Sequence, residues 1–226
     1  MQKEAEKFRQ SILISLGFIS ILWFIRFYEM GTETDLSFLG ILPRTLKGSV
    51  GILTSPLIHG NFTHLLSNTF PLLILTAGVV YFYNKIAIQV LSIIYVLTGI
   101  WVWLVAREAY HIGASGLVYG LVTFLFFSGV FRKDASSVAL SLIVIFLYGG
   151  MLYGLIPSNT GVSYESHIVG AVTGMLIAFY YRNEATIPVK VYDWMHESEG
   201  ETNPNDNTYD IEIKYRYRKD NENTSD

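Results

Sequence analysis

The chain has 226 residues, of which 51% are hydrophobic and only 15% charged, with a formal net charge of −3 and no cysteine. Charge this sparse does not cover the surface of a water-soluble domain of that length, so the composition points to an integral membrane protein. The missing cysteine removes disulfides, thiol nucleophiles and thiolate metal sites, and no basic stretch interleaved with aromatics argues for nucleic acid.

Crossing a bilayer as a helix takes about 20 mostly apolar residues. Six runs qualify, approximately 11–29, 64–83, 86–106, 115–131, 136–156 and 165–181. The first follows Lys3, Lys7 and Arg9, as a signal peptide would. Its length, its Trp23, Phe24 and Phe27, and the lack of a small-residue cleavage site make it a retained span instead. Arg26 falls near its far end, where the side chain is expected to snorkel to the interface. Residues 30–63 are too polar and glycine-interrupted to cross, yet carry Phe38-Leu39 and Ile52-Leu53. They are expected to form a large first loop in or on the outer leaflet. No 20–50-residue period and no inverted repeat are visible.

The net charge divides unevenly. Residues 1–183 carry 11 basic and 8 acidic groups, and residues 184–226 carry 5 basic and 11 acidic ones. The reading is a six-span domain over 1–183 and an acidic polar tail over 184–226. Within the tail, 209–219 alternates tyrosine and isoleucine with charge, and 187–194 is a weaker candidate partner strand. A two-stranded hairpin is marginal alone, so a disordered tail is the equal alternative. Basic residues of the short connections orient the domain. Lys3, Lys7, Arg9, Lys85, Arg132, Lys133 and Arg182 fall on one side under six spans. That side is expected to be cytoplasmic, with both termini inside.

Polar groups at membrane depth are costly and tend to face the protein interior or a wet cavity. In "HGNFTHLLSN" (59–68), His64 and Asn68 are four apart and share a helical face at the start of span two. In "SHIVGAVTG" (166–174), His167, Gly170 and Gly174 share a face of span six. Gly116 and Gly120 give span four the same capacity for close helix approach. "HIGASGLVYG" (111–120) places Ser115 at the start of span four. Spans two, four and six all descend from the outer side, so His64, Asn68, Ser115 and His167 share roughly one depth on three helices.

Each residue also has a plainer reading. A membrane serine often back-bonds to its own helix, and a histidine can sit at the interface. His64 and Asn68 could simply join span two to a neighbour. His111, beside Arg107 and Glu108, is expected to be solvated, and His196 to lie on the surface of the tail. Taken together, however, the set supplies nucleophilic catalysis. Ser115 is the nucleophile and His167 the general base. The helix N-terminus at Ser115, with His64 and Asn68, stabilises an oxyanion. Glu165, two residues from His167, is turned away on a helix, so a dyad is expected rather than a triad.

The set His-x4-His-x3-Asn, Gly-x-Ser-Gly and His-x2-Gly-x3-Gly, in this order across six spans, resembles the rhomboid intramembrane serine proteases over roughly residues 10–182. The resemblance implies an all-α, six-transmembrane-helix bundle and a Ser115–His167 dyad. It also implies an oxyanion site of His64, Asn68 and the Ser115 backbone N–H. Tyr119 matches the family tyrosine that packs on the base. His59 matches a further motif histidine of structural role, and Gly113 and Gly116 match loop and packing glycines. The Trp-Arg pair of many members has no counterpart in residues 30–58, where Pro43-Arg44 is the nearest. The implied activity is endoproteolysis of single-span membrane proteins near the outer face of what is expected to be a bacterial cytoplasmic membrane. No cofactor, metal or nucleic acid is expected. Two alternatives stand beside it: a metalloprotease using His59, His64 and His167, which lacks an HExxH motif, and a non-catalytic relative that binds membrane clients.

Overall fold

The computed structural model describes residues 2–157 and 163–184. The expected tail strands at 187–194 and 209–219 lie outside the described residues. Among those described, six helices dominate: α1 (Gln2–Thr32), α2 (Phe62–Phe82), α3 (Ala87–Val105), α4 (Ser115–Arg132), α5 (Ala135–Tyr148) and α6 (Tyr164–Tyr180). A 3₁₀ stretch, Gly149–Leu155, continues α5. Local chemistry sets several starts. The Asn61 side chain accepts from the His64 amide at α2, Asp134 from Ser137 at α5, and Ser163 from Ser166 at α6.

Among the described residues, five helical segments are long and apolar enough to cross a membrane. α6, at 17 residues, is not among these five; it coincides with the sixth expected run, 165–181, to within one residue at each end.

α4 is the centre. Its most apolar stretch is 56% buried, against 17% for Ala135–Leu155. Leu117, Val118, Leu121, Phe124 and Leu125 join one buried cluster with Leu65, Leu72 and Val79 of α2 and Val90 and Ile94 of α3. Against α6 the contact is backbone to backbone. A Cβ on Gly170 would overlap the Gly116 carbonyl, and one on Gly174 would overlap the Gly120 carbonyl. Glycine is required at both positions, as small residues are wherever membrane helices touch this closely.

Residues 33–61 form a folded connection of short turns, Ser37–Leu39, Lys47–Val50, Gly51–Thr54 and Ser55–Leu57. Ile41 and His111 pair in an isolated antiparallel bridge. Arg44, at φ 58°, donates from its backbone to the Trp103 carbonyl and from its guanidinium to the Ala106 carbonyl (2.7 Å). The Trp103 indole in turn donates to the Thr45 carbonyl. Arg44 and Trp103 therefore fasten this segment to the last turn of α3. Arg26 pairs with the buried Glu29 (3.2 Å) and lies over the Phe62 ring. Glu29 also accepts from the Leu36 amide.

Candidate active site at the first turn of α4

Ser115 is the first residue of α4. Its position follows from the turn before it. Gly113 holds φ +104°, a left-handed conformation that disfavours any side chain, and its amide donates to the Ser55 carbonyl (2.9 Å). A Cβ at Gly113 would press on the His64 ring, 2.7 Å from Nε2. The glycine is thus what lets His64 of α2 lie directly over the chain two residues before Ser115.

His167, on the first turn of α6, reaches Ser115 Oγ with Nε2 at 2.9 Å. Its Nδ1 lies 2.8 Å from the Gly154 carbonyl. A carbonyl only accepts, so Nδ1 carries the hydrogen and the neutral ring presents the Nε2 lone pair to the serine hydroxyl, which donates to it. Tyr119, one turn after Ser115, stacks on the imidazole with centroids 4.2 Å apart and planes 12° from parallel. Its hydroxyl donates to the Met151 carbonyl (2.6 Å). Glu165 pairs with Arg107 (3.3 Å) instead of approaching the ring nitrogens by a hydrogen bond. The group that orients the His167 imidazole is therefore a backbone carbonyl. A Cβ at Gly154 would overlap the Tyr119 hydroxyl.

The structure brings together Ser115, His167, Tyr119 and the glycine pairs, and sets His64 beside them. Asn68 is buried and donates its amide to the His64 carbonyl (3.0 Å), on its own helix. His59 is buried with its ring edge on His64, centroids 5.1 Å apart. Burial, reinforced by His64, pushes the His59 pKa down to about 4, the Leu57 backbone opposing, so the ring is neutral near pH 7. Among the described residues no three His, Asp or Glu side chains come together as a metal-holding set, and His167 Nε2 is committed to Ser115.

His111 corrects an expectation. It is not solvated but buried. Its Nε2 donates to the Arg107 carbonyl (3.0 Å), which leaves Nδ1 to accept from the Ser163 hydroxyl (2.7 Å). Ser166 then donates to Ser163 Oγ (2.6 Å). The chain of bonds ties the segment after α3 to the N-cap of the helix bearing His167. The spacing Ser163-x-x-Ser166 at a helix start was the available signal. The Gly154 and Met151 carbonyls had none beyond the glycine-rich run at 149–154.

The Rhomboid domain family model matches residues 47–184. Curated relatives include an uncharacterized protein of Mycobacterium tuberculosis and one of Mycobacterium bovis, each 34% identical over 178 residues, covering 73% of this chain and 72% of the relative. An uncharacterized protein of Mycobacterium leprae is 32% identical over 175 residues, covering 73% and 68%.

Proposed function

The chain belongs to the rhomboid family of integral membrane proteins, and from that membership and the site geometry we propose that it is an intramembrane serine endopeptidase. The observation that carries the reading is the 2.9 Å contact of Ser115 Oγ with His167 Nε2, while the other ring nitrogen is held by Gly154. Ser115 Oγ attacks the scissile carbonyl carbon as its proton passes to Nε2. The imidazolium that forms keeps its Nδ1–H bond to Gly154 and its stack on Tyr119, whose π face favours a cation. The carbonyl oxygen becomes an oxyanion at the N-terminus of α4. There the Ser115 backbone N–H, His64 and the second amide hydrogen of Asn68 are the donors. His167 returns its proton to the leaving amine, and the C–N bond breaks to leave an acyl-Ser115 ester. Water, deprotonated by the same ring, then hydrolyses the ester and regenerates the serine.

The substrate class in this reading is the single-span membrane protein, cut near the outer face. The basic connections support a six-span topology with both termini cytoplasmic, in a bacterial cytoplasmic membrane as the mycobacterial relatives suggest. The runner-up is a rhomboid-type protein that binds membrane clients without cutting them. A fluorophosphonate reporter on the reconstituted full chain separates the two. Labelling at Ser115 that is lost in both Ser115→Ala and His167→Ala, with cleavage of a model transmembrane substrate lost in parallel, is the expected result. Client binding without labelling or cleavage in wild type would leave the non-catalytic reading.

A further inference from the structure

Away from the serine, the bundle carries a second concave feature. α1 packs along α2, and α3 along α6. Between α1 and α3 lies a cleft of about 300 Å³, with Thr76 of α2 and Leu117 of α4 at its back. Ile14 and Phe18 form one wall, and Leu91, Ser92 and Val96 the other. At the upper end the Phe18 ring meets the edge of Tyr95, centroids 6.5 Å apart. The Tyr95 hydroxyl is turned out of the cleft onto the Leu53 carbonyl. The lining is therefore almost wholly hydrocarbon, with a closed top and a flank that opens at Ile14 and Ser92, both exposed.

Depth and charge identify an occupant. Ile14 lies seven residues beyond Lys7 and Phe18 eleven, so the cleft spans about 10–17 Å from Lys7 along α1 at about 1.5 Å per residue. Half of a hydrocarbon core of about 30 Å is about 15 Å, the reach of one leaflet's acyl chains. Lys3 and Lys7 share the helical face of Ile14, and Lys85 precedes α3 at the same end of the bundle. Of the acidic groups there, Glu4 accepts from the Tyr81 hydroxyl, and Glu6 lies about a quarter turn away from that face. Lys7 sits over the Tyr81 ring, 4.9 Å from its centroid, which holds the ammonium at this end. A helix about 10–12 Å across with its side chains does not enter a cleft of this size, whereas one linear chain fills it.

We propose that this cleft holds one acyl chain of a phospholipid with an acidic headgroup, drawn from the leaflet at the N-terminal end of α1, with the headgroup set against Lys3, Lys7 and Lys85. The chain ends beneath Phe18 and Tyr95 and touches α4 at Leu117, two residues past Ser115. The inference rests on the membrane-spanning helices and not on the protease reading.

The test uses the full chain in phosphatidylcholine nanodiscs. These are doped with phosphatidylglycerol bearing a diazirine at the end of one chain, or with the matching phosphatidylcholine probe. Mass spectrometry maps adducts after illumination. The expected pattern is enrichment at 14–18 and 91–96 over the lipid-facing Leu142 and Phe146 of α5. It should fall several-fold in Ser92→Trp, which fills the cleft, and persist in Ser92→Ala. Val96→Phe replaces Ser92→Trp should the latter not be recovered folded. Preference for the acidic probe should be lost in Lys85→Glu. Adducts at the cleft no more frequent than on α5, or undiminished in a folded cleft-filling variant, would overturn the site. Equal labelling by the two headgroups in wild type would overturn the acidic headgroup.

Discussion

Gly154→Ala adds one methyl group behind the base. Built on the backbone, that Cβ overlaps the Tyr119 hydroxyl, lies 3.1 Å from Tyr119 Cζ and 3.3 Å from His167 Nδ1. Something must move, because overpacking of this kind costs about 1–3 kcal/mol. If the tyrosine swings away, its bond to Met151 is lost, about 1 kcal/mol, and the stack on the imidazole loosens. If the 149–155 segment retreats, the Gly154 carbonyl leaves Nδ1 and the ring is no longer fixed in the protonation state that faces Ser115. Either route displaces the base, and a misplacement of about 1 Å typically costs about 10²-fold in rate. The expectation is a kcat lower by about 10²-fold with KM little changed, in a protein that stays folded. Tyr119→Phe removes the very atom the methyl strikes, so the double variant Tyr119→Phe/Gly154→Ala should recover about tenfold over Gly154→Ala, the coupling expected of residues in contact. Single-turnover cleavage in proteoliposomes measures this, and the rate of fluorophosphonate labelling at Ser115 gives the same comparison without a substrate. A wild-type rate in Gly154→Ala, or a double variant no faster than it, would refute the carbonyl as the orienting group.

Four further variants have expected outcomes. His64→Ala should lower turnover by about 10²–10³ with substrate affinity retained, the effect of removing one oxyanion donor. Asn68→Ala should lose less, since its amide is shared with the His64 carbonyl; normal single-turnover rates in destabilised proteins would assign both residues to packing. Gly174→Leu should lower the melting temperature in detergent by driving a side chain into the Gly120 carbonyl, at about 1–3 kcal/mol or more, and an unchanged melting temperature would reject the glycine contact. His59, held neutral with a pKa of about 4 against 6.5 unfolded, makes the unfolded chain bind the extra proton on acidification. Stability is therefore full above about pH 6.5 and falls as pH drops towards 4, by about 3 kcal/mol; His59→Leu should flatten that fall in a pH series of melting curves, and an unaltered slope would remove His59 as its source.

Much of the helical framework was legible because its physics is local. Runs of apolar residues fix helices, and a histidine or asparagine at membrane depth stands out by its cost. The extent of α6 was legible too, since the apolar run 165–181 and the helix Tyr164–Tyr180 differ by one residue at each end. His111 looked solvated beside Arg107 and Glu108. Its burial comes from the bridge to Ile41, 70 residues away in sequence. Most of the candidate site was readable as side chains. Its orienting group was not, since Gly154 and Met151 act through carbonyls that every residue possesses. The contact of Trp103 of α3 with the Arg44–Thr45 turn was not legible either, since it joins positions about 60 residues apart.

The glycine contact between α4 and α6 has a bearing on tolerance to the surrounding bilayer. Ser115 and His167 stand on two backbones that meet directly at Gly116–Gly170 and Gly120–Gly174, so side-chain repacking has little leverage on the gap between them. His64 and Asn68 stand on α2, which meets α4 through the side chains of Leu65 and Leu72, and those can re-pack when the membrane thins, thickens or gives way to detergent. The two halves of the site thus differ in mechanical compliance. A change of lipid host should blunt charge stabilisation long before it separates the serine from its histidine.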